Sequence, residues 1–307
     1  QGSPMLGADV CLEGFGEQQQ QSYTQEQEDH MLREAVQAAK EADIVVLAIG
    51  EDRLQSGEAT SNANIRIPEV QEALLDRIAE VNQNIVVVLF SGRPLDIREI
   101  NKKAKSILQV WLPGTEGARA IVDTLFGKYN PSGKLPMSFP YCVGQVPVHY
   151  NEYSTGRPHI EGKDKDRFRS KYLDIPNEPL YPFGYGLSYT TFEVSDIHLD
   201  RTWMDTSGQI EAEVTVKNTG NCTGTETLQL YIHDIAASVV RPVRELKDFK
   251  KVTLRPGEEK KVVFTITEQQ LLFLTENGIY ESEAGEFEIF IGKDSSTDNK
   301  ASFVLKK

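Results

Sequence analysis

The chain has little cysteine, little basic charge and no long apolar run, and each shortage removes a class of protein. Its three cysteines, Cys11, Cys142 and Cys222, are far apart in 307 residues. An odd, scattered set builds neither a disulfide scaffold nor a metal-ligand cluster. The five histidines are equally scattered, and neither His-x-x-x-His nor Cys-x-x-Cys occurs, so no metal site is expected. Lys and Arg number 33 against 46 Asp and Glu, a net charge of -13. That imbalance repels nucleic acid and anionic membrane surfaces, and argues against both as partners. No apolar stretch approaches the ~20 residues that span a bilayer. No Gly-x-Gly-x-x-Gly or phosphate loop follows a strand, so no nucleotide cofactor is expected. The Gly-x-Ser-x-Gly elbow of many serine hydrolases is missing too. Asn221-Cys222-Thr223 fits the glycosylation pattern, which is short enough to arise by chance.

The N-terminus, Gln1-Gly2-Ser3-Pro4, has no initiator Met and no signal-peptide pattern. It reads as though it begins in the middle of something larger, and it leaves bacterial cytoplasm, periplasm and secretion all open. The length is enough for two domains, since single cores stop growing at roughly 250 to 300 residues.

Residues 1–25 lack periodicity, and their glutamine run (Gln18 to Gln21) suggests a solvated linker. A helical pattern follows over 26–40, with Met31, Leu32, Ala35, Val36 and Ala39 on one face. Residues 43–50 are an apolar strand. Pro68 then opens a second helix, where proline is tolerated in the first turn, with Val70, Ala73, Leu74 and Ile78 as its stripe. The cycle repeats through a strand at 84–90, a short helix near 95–100, a strand at 106–112 and a helix at 115–126 capped by Gly127. Continuous apolar strands alternating with helices predict a mostly parallel α/β domain, covered on both faces, over 26–188.

Residues 151–180 form a long, polar stretch of mixed charge with no period. A connection of that length is functional, covered by a partner or mobile. Beyond Tyr189 the period becomes two. Ile210, Ala212, Val214 and Val216 alternate with polar residues, as do Leu228, Leu230 and Ile232, then Val262, Phe264 and Ile266, then Phe287, Ile289 and Ile291. Short alternating strands separated by turns such as Arg255-Pro256-Gly257 predict an antiparallel β-sandwich over 189–307. The fold class expected is therefore α/β followed by all-β.

The segment from Asp43 to Glu58 is the most informative stretch: an apolar strand ends at Gly50, and a polar loop then runs to Glu58. Ligands of open α/β sheets bind at the carboxyl ends of the strands. A carboxylate held there can act as a general acid, because partial burial raises its pKa toward working pH. Glu58 is the first candidate and Glu51, leaving the same strand seven residues earlier, the second. A solvated loop glutamate is the plain alternative.

Several segments, in order, resemble one family. They are Ser56-Gly57-Glu58-Ala59-Thr60-Ser61; Trp111-Leu112-Pro113-Gly114-Thr115-Glu116-Gly117 with Leu125-Phe126-Gly127; Asn130-Pro131-Ser132-Gly133-Lys134-Leu135-Pro136; Tyr181-Pro182-Phe183-Gly184-Tyr185-Gly186-Leu187-Ser188-Tyr189; and Arg241-Pro242 with Glu245-Leu246-Lys247-Asp248-Phe249. As a set they resemble the C-terminal half of glycoside hydrolase family 3 β-glucosidases, an α/β sandwich domain followed by a fibronectin type III-like domain.

The resemblance implies a retaining, exo-acting glycosidase acting on β-linked glucosides or oligosaccharides, with two carboxyl groups roughly 5 to 5.5 Å apart across the scissile bond. It maps the family's acid/base onto Glu58. It places the nucleophile, an Asp in a Ser-Asp-Trp segment, on an N-terminal (β/α)8 barrel that this chain does not contain, and a homodimer is compatible with it. Relatives close to this pattern often have Arg where this chain has Asn62, which bears on affinity or loop geometry. Trp111, ending a strand, is a candidate sugar-stacking residue, with packing at the strand end as the alternative. The glycines of 183–186 read as a tight turn rather than a phosphate cradle, since no helix follows them. A non-catalytic carbohydrate-binding or interaction module is the competing function for the chain by itself.

Overall fold

A computed structural model describes residues 2–3, 23–52, 55–160 and 166–307. The glutamine run and most of the proposed linker lie outside the described residues, as do Cys11, Lys163 and Lys165. The chain divides into two compact units: 1–122 with 140–146, and 123–139 with 147–307.

In the first unit, helix α1 (Gln25–Glu41) starts at a capping box in which Thr24 and Gln27 satisfy each other's end groups. Strand β1 (Val45–Gly50), helix α2 (Glu69–Ala79), strand β2 (Ile85–Phe90), helix α3 (Arg98–Lys103) and strand β3 (Ser106–Trp111) follow, and helix α4 (Gly117–Leu125) runs across the unit boundary at 122. The strands form a parallel sheet in the order β1-β2-β3. Its centre is dry: Ile85, Val87 and Leu89 are fully buried.

Three sequence expectations shift here. Ile44 and Val46 are 62% and 52% exposed, because β1 is an edge strand and one of its faces is open among the described residues. Coverage of both faces holds for β2 and not for β1. The apolar stripe of α2 is rotated: Gln71 and Leu75 are buried with Leu74 and Ile78, whereas Ala73 is exposed. Gln71 occupies a core position because its amide bonds both backbone groups of Gly50. Helix α3 begins at Arg98, after Pro94, with Asp96 Oδ1 accepting from the Arg98 backbone N–H.

The second unit is built on a β-sandwich. One sheet contains β4 (Phe192–Val194), β7 (Gln209–Asn218) and β10 (Glu259–Thr267), with β5 (His198–Leu199) also paired to β7. The other runs β6-β14-β13-β8-β9, from Trp203–Asp205 through Lys300–Lys306, Gly285–Gly292 and Gly224–Asp234 to Glu245–Leu254. Its pairs are antiparallel except β6 with β14. A one-turn helix, α5 (Glu268–Leu271), and a hairpin of β11 (Phe273–Leu274) and β12 (Tyr280–Glu281) complete it. The period-two residues read from the sequence meet in a single core, with Ile210, Val216, Leu228, Phe264 and Ile289 at 0% exposure. Edge strand β9 carries Lys247, Lys250 and Lys251, which discourage pairing with another chain.

Residues 130–136 and 181–189 belong to this second unit, where they brace one another and the end of β8. The Leu135 N–H bonds the Tyr185 carbonyl, and the Gly184 N–H bonds the Leu135 carbonyl. Asn130 accepts from Ser188 and the Tyr189 N–H and donates to the Thr223 carbonyl. A buried ion pair joins Lys134 to Glu226 at 2.7 Å. Gly184 turns at φ +81, and a Cβ there would lie 2.1 Å from the Gln229 side chain, so this turn needs glycine.

Candidate active site

The carboxyl ends of β1, β2 and β3 in the first unit each deliver a candidate functional segment. Gly50 ends β1 at φ +137, and a Cβ there would fall 1.9 Å from the Phe90 carbonyl oxygen. Gln71 holds that glycine from the side, accepting from its N–H at 2.7 Å and donating to its C=O at 3.0 Å. The chain then turns inward, and the Glu51 N–H bonds the Phe90 carbonyl.

Glu51 is buried, its side chain 3% exposed. Oε2 accepts from the Gly92 N–H at 3.2 Å, and Oε1 accepts from Asn62 Nδ2 at 3.2 Å. Arg93 Nε lies 3.0 Å from Oε1 as an ion pair, although its N–H lacks hydrogen-bond alignment. A buried carboxylate is tolerable only when its charge and lone pairs are met in this way.

Glu58 has the opposite environment. It is exposed, and its neighbours Gly57 and Ala59 have φ of +138 and +58. Ala59 is a non-glycine residue in the left-handed region, a local cost that persists only where surrounding bonds impose it. Those bonds are present. Arg93 Nη2 donates to the Gln55 carbonyl at 2.5 Å and the Thr60 carbonyl at 3.0 Å. Asn62 Nδ2 also reaches the Gln55 carbonyl, and Thr60 Oγ1 bonds the Gly57 carbonyl at 2.7 Å. Asn62 thus ties the loop to Glu51.

At the end of β2, Gly92 lies against this loop so closely that a Cβ would meet Ser56 Oγ at 1.7 Å. Ser91 is buried and accepts from Gln109 on β3. At the end of β3, Trp111 is partly buried and adopts φ +53 beyond a register shift opposite Phe90. A bulky residue at positive φ is a genuine outlier, of the kind that clusters at ligand sites. Leu112 follows and is 66% exposed. The strand-end rule that singles out Glu58 applies equally to Ser91-Gly92-Arg93-Pro94 after β2, and it is the signal in the sequence that points to Arg93.

A separate cavity of about 340 Å³ is lined by Arg66, Glu72, Asp96, Arg98 and Lys103 among others, and by no residue of the Glu58 loop. Its charges pair internally, Arg66 with Glu72 and Arg98 with Asp96, each at 2.8 Å. Burial outweighs Arg66 and holds the Glu72 carboxyl above its ordinary range. Among the described residues no cluster of His, Cys, Asp and Glu is arranged to hold a metal ion.

The chain thus joins, in sequence, a parallel α/β sheet to a β-sandwich. Residues 7–189 match the glycosyl hydrolase family 3 C-terminal domain, and residues 226–295 match the fibronectin type III-like domain. The chain is a member of glycoside hydrolase family 3. It is 48% identical over 275 residues to a periplasmic beta-glucosidase of Salmonella typhimurium, covering 90% of this chain and 36% of that protein. A beta-xylosidase of Formosa agariphila is 41% identical over 266 residues, with 87% and 36% covered. Among solved structures, the beta-glucosidase of Listeria innocua in complex with glucose superposes with a TM-score of 0.87 at 40% identity, over 93% of this chain and 39% of that one. The chain thus spans little more than a third of the length of these relatives.

Proposed function

We propose that this chain supplies the general acid/base of a retaining, exo-acting β-glucosidase, and that Glu58 is that residue. The observation that carries the reading is the contrast between two carboxylates leaving one strand. Glu51 is buried with both oxygens occupied, whereas Glu58 stands exposed on a loop fixed at both shoulders. In the first step Glu58 donates its proton to the glycosidic oxygen as an aspartate attacks C1 and the leaving alcohol departs. In the second, the Glu58 carboxylate takes a proton from water as that water displaces the aspartate. The aspartate belongs to an N-terminal (β/α)8 barrel outside this chain. Substrates are β-linked glucosides or oligosaccharides, a class supported by the relative solved with glucose and by another structure of the Listeria innocua enzyme with laminaribiose. The beta-xylosidase relative extends the class to xylosides. Trp111, strained at the end of β3, is assigned to the rim of the sugar site, where its ring can stack on a pyranose face.

The test is Glu58→Gln in a polypeptide that joins this chain to a family 3 barrel. Hydrolysis of a disaccharide should fall about 10²- to 10⁴-fold. Aryl glucosides with acidic leaving groups should keep their glycosylation rate, and azide should restore turnover by replacing the base-activated water. Near wild-type disaccharide hydrolysis removes Glu58 from the site.

A further inference from the structure

The carbonyls of Gln55 and Thr60, which flank Glu58 by three and two residues, bond the same nitrogen, Arg93 Nη2. Arg93 in turn pairs with a carboxylate that has almost no contact with solvent. Glu51 itself is fixed by the Gly92 N–H and by Asn62, whose amide also reaches the Gln55 carbonyl. The result is a closed ring running Glu51, Arg93, Gln55, Asn62 and back to Glu51. We infer that Arg93 and Glu51 are positioning residues for the acid/base: together they fix the height and tilt of the loop that presents Glu58. This inference rests on the acid/base reading of Glu58.

The chemistry of the pair suits the task. Arginine remains charged at any working pH, and its planar fork holds several acceptors in fixed directions, which a lysine ammonium does not. The buried Glu51 charge keeps the guanidinium seated, because separating them would leave an unpaired charge in the interior. Glu51 is thereby withdrawn from proton transfer, both oxygens being engaged. A general acid depends steeply on placement, since a displacement of about 1 Å can cost about 100-fold in rate. The left-handed backbone at Gly57 and Ala59 would relax if the two carbonyls were released.

The experiment compares Arg93→Met, Arg93→Lys, Glu51→Gln and Glu58→Gln in the polypeptide joined to a barrel. It measures kcat/KM on cellobiose and on 2,4-dinitrophenyl β-glucoside, with amide exchange across 55–60. Arg93→Met should lower kcat/KM on cellobiose about 10- to 100-fold. On the dinitrophenyl glucoside, whose leaving group needs no proton, the loss should be less than about threefold, and exchange across 55–60 should rise at least about tenfold. Glu51→Gln should show the same leaving-group selectivity, more weakly. Arg93→Lys, which keeps the charge opposite Glu51 without the fork, should fall between, and it carries the test if the methionine variant does not fold. Equal losses on both substrates, or unchanged exchange in the loop, would overturn the positioning role while a selective Glu58→Gln leaves the acid/base assignment standing. If Glu58→Gln is itself unselective, the acid/base assignment fails and the positioning role falls with it.

Discussion

Gln71 gives the sharpest test of how the strand end is built. Its replacement by Leu keeps the volume and the helix propensity but removes both bonds to Gly50. The N–H and C=O of Gly50 are then left in a buried site without that partner. Each stranded backbone group costs about 1 to 3 kcal/mol. The apolar side chain returns about 1 kcal/mol, because Leu is at home in a position that is 3% exposed. The net expectation is a loss of about 1 to 5 kcal/mol from the α/β unit. The sequence supplies a reporter for that unit, since Trp111 lies in it and Trp203, the other tryptophan, lies in the sandwich. In a Trp203→Phe background, urea unfolding followed by Trp111 fluorescence isolates the first unit. With a slope of about 2 kcal/mol per molar, the midpoint should fall by roughly 0.5 to 2.5 M. A shift below about 0.3 M would refute the argument, and Gln71 would then be a tolerated polar residue rather than the cap of β1.

The sandwich has its own buried amide and its own pH dependence. Asn218, at 0% exposure, accepts from Thr190 Oγ1 and the Gly220 N–H and donates to the Cys222 and Leu254 carbonyls. Asn218→Ala should therefore cost about 3 kcal/mol in urea unfolding followed by Trp203 fluorescence, and a loss under about 1 kcal/mol would deny the network that role. The hydrogen bond from Lys300 holds the Glu288 carboxyl below its ordinary value of 4.5, with His233 adding to it. A lowered folded-state pKa gives stability that is complete above pH 4.5 and lost as pH falls through the folded value. Glu288→Gln should cost about 0.5 to 1 kcal/mol at pH 7 and nothing at pH 2, and a cost that persists at pH 2 would show that packing, not charge, is responsible.

The sandwich is the most legible part of the chain. Every strand whose apolar residues alternate has one face in the core, and Ile210, Val214, Phe264 and Ile291 lie where a period of two puts them. The parallel sheet is legible in type and order but not in coverage. The apolar residues of 43–50 look alike in sequence, and only the topology makes β1 an edge that leaves Val46 half exposed. The stripe of helix α2 reads one position off, because hydrophobic periodicity cannot anticipate a core glutamine. Gln71 is buried for its amide, and the glycine it satisfies lies 21 residues away.

The site shows the same division between local and long-range information. A strand end followed by carboxylates is a local signal, and it brings both Glu51 and Glu58 to attention. What separates the two is not local. Glu51 acquires its partners from Asn62, Gly92 and Arg93, with Gly92 already 41 residues distant, while Glu58 acquires none of them. As carboxylates after a strand end the two glutamates are alike, and in the sequence only the resemblance around Ser56-Gly57-Glu58 ranks one above the other. They become a buried brace and an exposed carboxylate only when β2 is laid beside β1 and delivers Gly92 and Arg93 to the end of the neighbouring strand. The lack of a side chain at Gly92 lets Ser56 approach, and the long side chain at Arg93 reaches the loop carbonyls. On the acid/base reading of Glu58, a proton-transfer group that must be free to meet a substrate is steadied by residues that never meet it, and their dipeptide comes from the next strand of the sheet.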